Sequence, residues 1–367
     1  MLETRAADAR QFTTSSFDPQ RASAEEWAQA LAYWRQRHDE DFPGEPQPDD
    51  AHTQQDVRQH TPLHVVHRAF ARDAQGRIVG SLNMGVRREG SPDYATFAPF
   101  IDVWGGVLRS HQRQGVASTL LHRLLALMEK TRDPTTATFK THLPEGRAFL
   151  AAIGATEKHR SIENRMAFDS LDWAALARWR ADALAPTHGL RLEIHAGRVP
   201  FDRLATLMAP LSALLEDAPT SALERAPLRF ELEGFHAWYA EIDRRGGEHF
   251  LVLLRDANDE VAAVCDASWN QLYPDRMFQR LTGVARAWRG KGLAKGVKAI
   301  MLQLVRERHP EVAIAVTQNA EVNAPMLAIN RQLGFAPHRH DGAYQIGTES
   351  LRAFLSTRPL AVPEAHA

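Results

Sequence analysis

The chain is poor in several things, and each shortage excludes something. It has one cysteine, Cys265, among 367 residues. No intrachain disulfide and no thiolate-rich zinc site can form, which fits a reducing compartment. There is no run of about 18 apolar residues of the length a membrane-crossing helix needs. The opening stretch, MLETRAADARQFTTSS, lacks the apolar core of a signal peptide. A cytoplasmic location is therefore expected. Surplus charge is missing too, with 44 basic side chains against 45 acidic ones. Nucleic acids and anionic membranes are held mainly by an excess of Lys and Arg, so neither is an expected partner. Lysine itself is scarce, six residues in all, the rest of the basic side chains being arginine.

What is present is length for two domains of ordinary size, and a repeat. VVHRAFARDAQGRIVGSLNMGV (65–86) and FLVLLRDANDEVAAVCDASW (250–269) each read as two strands around a tight turn. A third strand-like run follows in each half, at 97–108 and 276–285. Each run enters a glycine-containing turn and an amphipathic helix, Gln112 to Lys130 and Arg289 to Val305. A short β-branched run (135–141, 311–317) and a short helix ending in glycine, Gly154 or Gly334, complete each copy. A duplicated domain is the expectation, with the boundary near residue 185, giving 1–185 and 186–367. Residues 41–62, polar and Pro-rich, read as a long surface loop or mobile lid.

A strand that runs through glycine directly into a helix gathers backbone N–H groups that have no intrahelical partner. The helix N-terminus adds partial positive charge, so such a turn suits a phosphate or pyrophosphate. Basic and amide side chains surround both turns: Arg109, Gln112, Arg113 and Gln114 in one, Arg286, Arg289 and Lys291 in the other. Lys291, Lys295 and Lys298, half of all the lysines, share one helix face by spacing. That face is either solvated or a cationic wall beside a phosphorylated ligand. No Walker loop and no dinucleotide-binding fingerprint is present, and the antiparallel hairpins indicate an α+β fold.

The turns read Q-R-Q-G-V-A (Gln112 to Ala117) and R-G-K-G-L-A (Arg289 to Ala294), and the second half continues with T-Q-N-A-E-V-N-A-P-M-L-A-I-N-R-Q-L-G-F (Thr317 to Phe335). These segments resemble the GNAT superfamily of N-acetyltransferases, and in particular its tandem-domain branch that includes mycothiol synthase. The resemblance implies two tandem acyl-CoA N-acyltransferase domains, each a mixed, mostly antiparallel sheet flanked by helices. It implies acetyl-CoA as co-substrate, no metal, and transfer of an acetyl group to a primary amine of a small molecule by direct attack. The protein is expected to be a monomer or a homodimer.

By the same resemblance, the backbone at Val107, Leu108 and Arg109, and at Val284, Ala285 and Arg286, pairs with the pantetheine amides. The turn residues Gln112, Arg113, Gln114, Gly115, Val116, Ala117 and Ser118, and Arg289, Gly290, Lys291, Gly292, Leu293, Ala294 and Lys295, hold the pyrophosphate. Asn319 and Asn323 reach the cofactor in the second half.

Where many relatives place a tyrosine general acid this chain has Leu150 and Asn330, and the first half has Lys140, His142 and Leu143 in place of the asparagine pattern. The second half is therefore the expected catalytic one, the first a degenerate copy. A non-catalytic acyl-CoA-binding or sensor protein is the alternative. Candidates for acid–base work are Asp102 on the strand before the first turn, Asp266, and Tyr344 in the last strand; the position matching Asp102 in the second copy is Gln279. Cys265, in the apolar run AAVCDASW, reads as core rather than nucleophile. The 17 histidines include His60, His64 and His67 and the pair His338 and His340, but His64 and His67 on one strand should face opposite ways, so no metal site is expected.

Overall fold

A computed structural model describes residues 12–59, 63–91, 94–131, 135–217 and 229–358. His60, the nearest neighbour to the His64 and His67 pair in the sequence, lies outside them.

Packing divides the chain into two units. The first contains β1 (Thr13–Ser16), α1 (Ala24–Asp41), α2 (Asp50–Arg58), β2 (His64–Arg72), β3 (Ile78–Arg87), α3 (Tyr94–Phe97), β4 (Phe100–Val107), α4 (Val116–Lys130), β5 (Thr136–Thr141) and α5 (Pro144–Ala152). The second begins at His159, within β6 (Thr156–Ala167), and continues through α6 (Trp173–Ala183), β7 (Arg191–Ala196), α7 (Phe201–Glu216), α8 (Leu232–Arg244), β8 (Glu248–Arg255) and β9 (Val261–Trp269). It then runs through β10 (Arg276–Val284), α9 (Leu293–Arg308), β11 (Ile314–Ala320) and α10 (Ala324–Gln332). The last strand, β12 (Ala336–Gly347), and α11 (Thr348–Ser356) return to the first unit from Gly342 onward.

Both units repeat one plan, an antiparallel meander with a single parallel pair: β4 with β5 in the first, β10 with β11 in the second. The duplicated order read from the sequence is present element by element. Packing does not follow a cut at residue 185, however. The strand after the short helix is exchanged between repeats: β12 pairs with β5 in the first unit, and β6 pairs with β11 in the second. Residues 159–185 therefore pack with the second unit and residues 342–358 with the first. A ladder needs only a matching edge and face, and sequence order does not say which copy supplies it.

The second difference is residues 41–62. A helix occupies Asp50–Arg58, started by Asp49, whose carboxylate accepts from the His52 N–H at 2.8 Å. The polar composition suggested a loop, but an aspartate cap supplies what the first turn lacks.

The helices lie where their apolar stripes put them. Val116, Leu120, Leu124 and Met128 of α4 are buried on one core, and Leu293, Val297, Ile300 and Met301 of α9 on another. In the second unit α6 approaches α9 so closely that a Cβ at Gly296 would collide with the Ala183 Cβ. On the opposite face of that sheet, α7 and α8 cover Leu251, Leu253 and Val264. Among the described residues no helix is long and apolar enough to cross a membrane.

Candidate functional site

The two glycine turns are built alike. In the first unit β4 ends at Val107, the Leu108 N–H bonds back to the Val79 carbonyl at 2.9 Å, and one 3₁₀ turn (Arg109–His111) leads to Gly115 at the start of α4. In the second, β10 ends at Val284, the Ala285 N–H bonds to the Ala262 carbonyl at 2.9 Å, and a 3₁₀ turn (Arg286–Trp288) leads to Gly292. Arg113 and Gly115 have φ of 62° and 90°; Gly290 and Gly292 have 78° and 76°. Two left-handed residues in alternation turn the strand into the helix in both copies. A Cβ on Gly115 or Gly292 would meet nothing within 4 Å, so the glycine is required by φ and the space beside it is open. Open space at a helix N-terminus is what an anion needs.

The strands leading to these turns differ. In the first unit α1 lies against the end of β4. The Arg37 guanidinium donates to the Val107 carbonyl at 2.7 Å, and the Glu40 carboxylate accepts from the Arg109 N–H at 2.9 Å. Tyr33, its phenol pushed up to about 12 by burial, donates to the Gly106 carbonyl at 2.7 Å. Beyond the β4–β5 pairing, His142 Nε2 sits 2.9 Å from the Asp41 carbonyl, and its ring lies 4.8 Å from that of Phe42. The backbone groups expected to meet a pantetheine arm are already engaged by this chain's own helix.

In the second unit no described group takes the Arg286 N–H as Glu40 takes that of Arg109. The Val284 carbonyl accepts from Arg289 Nε, a side chain of the turn itself, at 3.1 Å. Asp217, just past α7, holds both arginines of this turn: Arg286 Nε lies 3.0 Å from its oxygens and Arg289 Nη2 2.9 Å. The Arg286 guanidinium in turn holds the Asp217 carboxyl below the usual carboxylate range. No sequence signal linked Asp217 to a turn some 70 residues later.

Lys291, Lys295 and Lys298 do not form one wall. Lys291 lies 4.5 Å over the Trp288 ring and Lys295 5.2 Å over Trp179. Lys298 is buried, donates to Gln279 Oε1, and is brought down to about 8 by desolvation. Gln279 Nε2 lies 3.2 Å from the Cys265 sulfur. Cys265 is a fully buried core residue whose thiol burial pushes up.

Asn330 is buried on α10 and donates to Asn319 Oδ1 on β11 at 2.7 Å, while its own Oδ1 has no partner among the described residues. Asn323 caps α10, its side-chain oxygen accepting from the Met326 N–H at 3.3 Å. Of the acid–base candidates, Asp102 is exposed on β4. Tyr344 belongs to the first unit, paired with Phe139 and donating to Glu157 at 3.0 Å.

Asp266 is buried on β9, under α8. Burial raises its carboxyl, but Arg280 and His249 outweigh burial and hold it below the ordinary value. Arg280 Nη1 is 3.8 Å from Asp266 Oδ1 and His249 Nε2 is 3.4 Å from it; His249 Nδ1 meets the Tyr239 hydroxyl at 2.8 Å. Among the described residues no cluster of three or more His, Cys, Asp or Glu could ligate a metal.

No family model and no curated protein matches the chain. Solved structures do. A tandem GNAT protein from the clavulanic acid biosynthesis pathway superposes with a TM-score of 0.67 at 22% identity, covering 92% of this chain and 98% of that one. A GCN5-related N-acetyltransferase from Sphaerobacter thermophilus gives 0.60 at 13% identity, covering 93% and 96%. A glucosamine N-acetyltransferase region of a fungal multi-domain β-N-acetylglucosaminidase gives 0.58 at 15% identity, covering 91% and 38%. The fold is the tandem GNAT fold, as the motifs implied; the narrower likeness to mycothiol synthase stays a resemblance of sequence segments.

Proposed function

We propose that the second unit transfers an acetyl group from acetyl-CoA to a primary amine of a small molecule, and that the first unit holds no acyl-CoA. One contrast carries this reading: both units keep an open glycine turn, but among the described residues only the second leaves the N–H just past the strand end, at Arg286, unengaged. The buried, unpartnered Asn330 Oδ1 supports it, since a buried acceptor without a donor awaits one from a ligand.

In this reading the turn from Arg289 to Lys295 receives the pyrophosphate on backbone N–H groups, and the end of β10 from Val284 to Arg286 offers strand-like partners to the pantetheine amides. The neutral amine attacks the thioester carbonyl carbon, the carbon–sulfur bond breaks, and the products are the N-acetyl amide and coenzyme A as free thiol. The amine must shed one proton, which leaves to solvent, and the sulfur must gain one. Asn330 cannot serve as an acid, but its amide N–H groups can donate a hydrogen bond.

The test is calorimetry with coenzyme A, together with thiol release over a panel of amines, for wild type, Gly292→Glu and Gly115→Glu. One ligand per chain is expected, with binding and release lost in Gly292→Glu and kept in Gly115→Glu. No heat at millimolar coenzyme A, or release indifferent to the carboxylate at position 292, refutes the reading.

A further inference from the structure

The two copies differ by one residue on the strand that leads to the turn. β4 pairs with β3 without a break, whereas β10 carries a bulge against β9 between Gln279 and Leu281. The extra residue is Arg280. Gln279 points to Lys298 of α9, and Arg280 points to the opposite face, where its guanidinium lies 3.5 Å over the Trp238 ring of α8; the bulge adds Leu281 to that same face. Its counter-charge is Asp266 at 3.8 Å, too far for a hydrogen bond. Among the described residues the guanidinium makes no hydrogen bond at all, and 31% of the side chain is exposed. An arginine fork with all its donors unspent, fixed by stacking and by a buried carboxylate, is prepared for a planar anion.

Its surroundings say what else that anion carries. Trp238 also lines a cavity of about 200 Å³ with a mixed wall, Tyr273 and Phe278 standing beside Glu241, Arg245 and Asn270. Phe278 stands two residues before Arg280, on the same face of β10. From Val284 back to Arg280 the strand covers about 13 Å, at about 3.3 Å per residue. A thioester arm anchored at the Gly292 turn and lying along this strand thus heads toward Arg280, with the cavity beside Trp238 just beyond.

Resting on the acetyl-transfer reading, we propose that Arg280 holds the carboxylate of the acceptor, so that the acceptor is a free amino acid whose apolar side chain enters the cavity walled by Trp238, Tyr273 and Phe278. Asp266, held in turn by His249, is a positioning residue for Arg280 and touches no substrate.

The test is direct binding, by calorimetry in the presence of coenzyme A, of phenylalanine and leucine against phenylalaninamide and leucinamide, for wild type, Arg280→Gln and Arg280→Lys. Wild type should favour the acid over the carboxamide about a hundredfold. Arg280→Gln should bring the ratio close to one, and Arg280→Lys should keep part of it, with affinity for coenzyme A unchanged in both. Asp266→Asn should weaken binding of the acid alone. A wild type that binds neither acid, or binds acid and amide equally, overturns the proposal, as does an Arg280→Gln variant that keeps the ratio. Thiol release, measured on the same samples, reports separately on acetyl transfer: acid binding without release upholds Arg280 while the catalytic reading falls.

Discussion

Lys298 sits on the core-facing side of α9 with 1% of its surface exposed, and desolvation brings its ammonium from 10.5 down to about 8. That displacement corresponds to about 3 kcal/mol by which the folded state disfavours the charged form. Methionine fills nearly the same volume without a charge. Lys298→Met leaves Gln279 Oε1 without its donor, a loss of about 1 kcal/mol, so a net gain near 2 kcal/mol is expected at neutral pH. For a unit of this size that raises Tm by about 5 °C. The gain must depend on pH in one direction. Between about 8 and 10.5 the unfolded chain binds the Lys298 proton and the folded chain does not, so wild-type stability rises with pH across that window and the advantage of the variant shrinks. Urea unfolding of both proteins from pH 7 to 10.5 measures the difference, in which groups common to both cancel. A variant less stable than wild type at pH 7, with a difference flat to pH 10.5, would show that the buried amine is not held against its charge.

Glu193 gives the opposite pH sign. Arg203, first, and then His195 and Arg255 hydrogen-bond its carboxylate and hold it down to about 2. Its contribution is full above the unfolded value of 4.5 and lost as pH falls toward 2. Glu193→Gln should cost about 2 kcal/mol at pH 7 by urea unfolding, with the gap closing below pH 4.5. Tyr344→Phe removes a hydroxyl bonded to Glu157 in the first unit, so thiol release should stay within about twofold of wild type while Tm falls with the lost hydrogen bond, about 1 kcal/mol; a hundredfold loss of turnover would restore Tyr344 as an acid.

Periodicity and turn chemistry made the repeat legible because each copy buries its own stripes: Val116 to Met128 and Leu293 to Val305 reached the core faces their spacing assigned. The glycine turns were legible because only left-handed residues make that corner. Partners distant in sequence were not. The exchange of β6 and β12 is a pairing choice between two similar edges, and nothing within either strand records it. Lys298 lies neither on a solvated face nor on a ligand-facing wall, because helical spacing fixes a face but not which face meets the sheet, and Gln279 is what makes its burial tolerable. Arg280 stayed hidden because the groups that hold it, Trp238 of α8 and Asp266 of β9, are distant in sequence.

The asymmetry between the copies then follows from few side chains. A free strand amide beside an open turn is costly to leave without a partner. The first unit meets that cost internally, with Arg37 and Glu40 on α1 closing over Val107 and Arg109. The second leaves it to solvent or ligand, and sends the corresponding acid, Asp217, to the arginine side chains of the turn instead. In the first unit a helix residue takes the backbone and the strand keeps its regular register. In the second the acid steadies the turn, the backbone stays available, and Arg280 of β10 lies over Trp238. The same fold thus yields one unit whose strand end is met by its own helix and one whose strand end is left open, with Arg280 over Trp238 on the same strand.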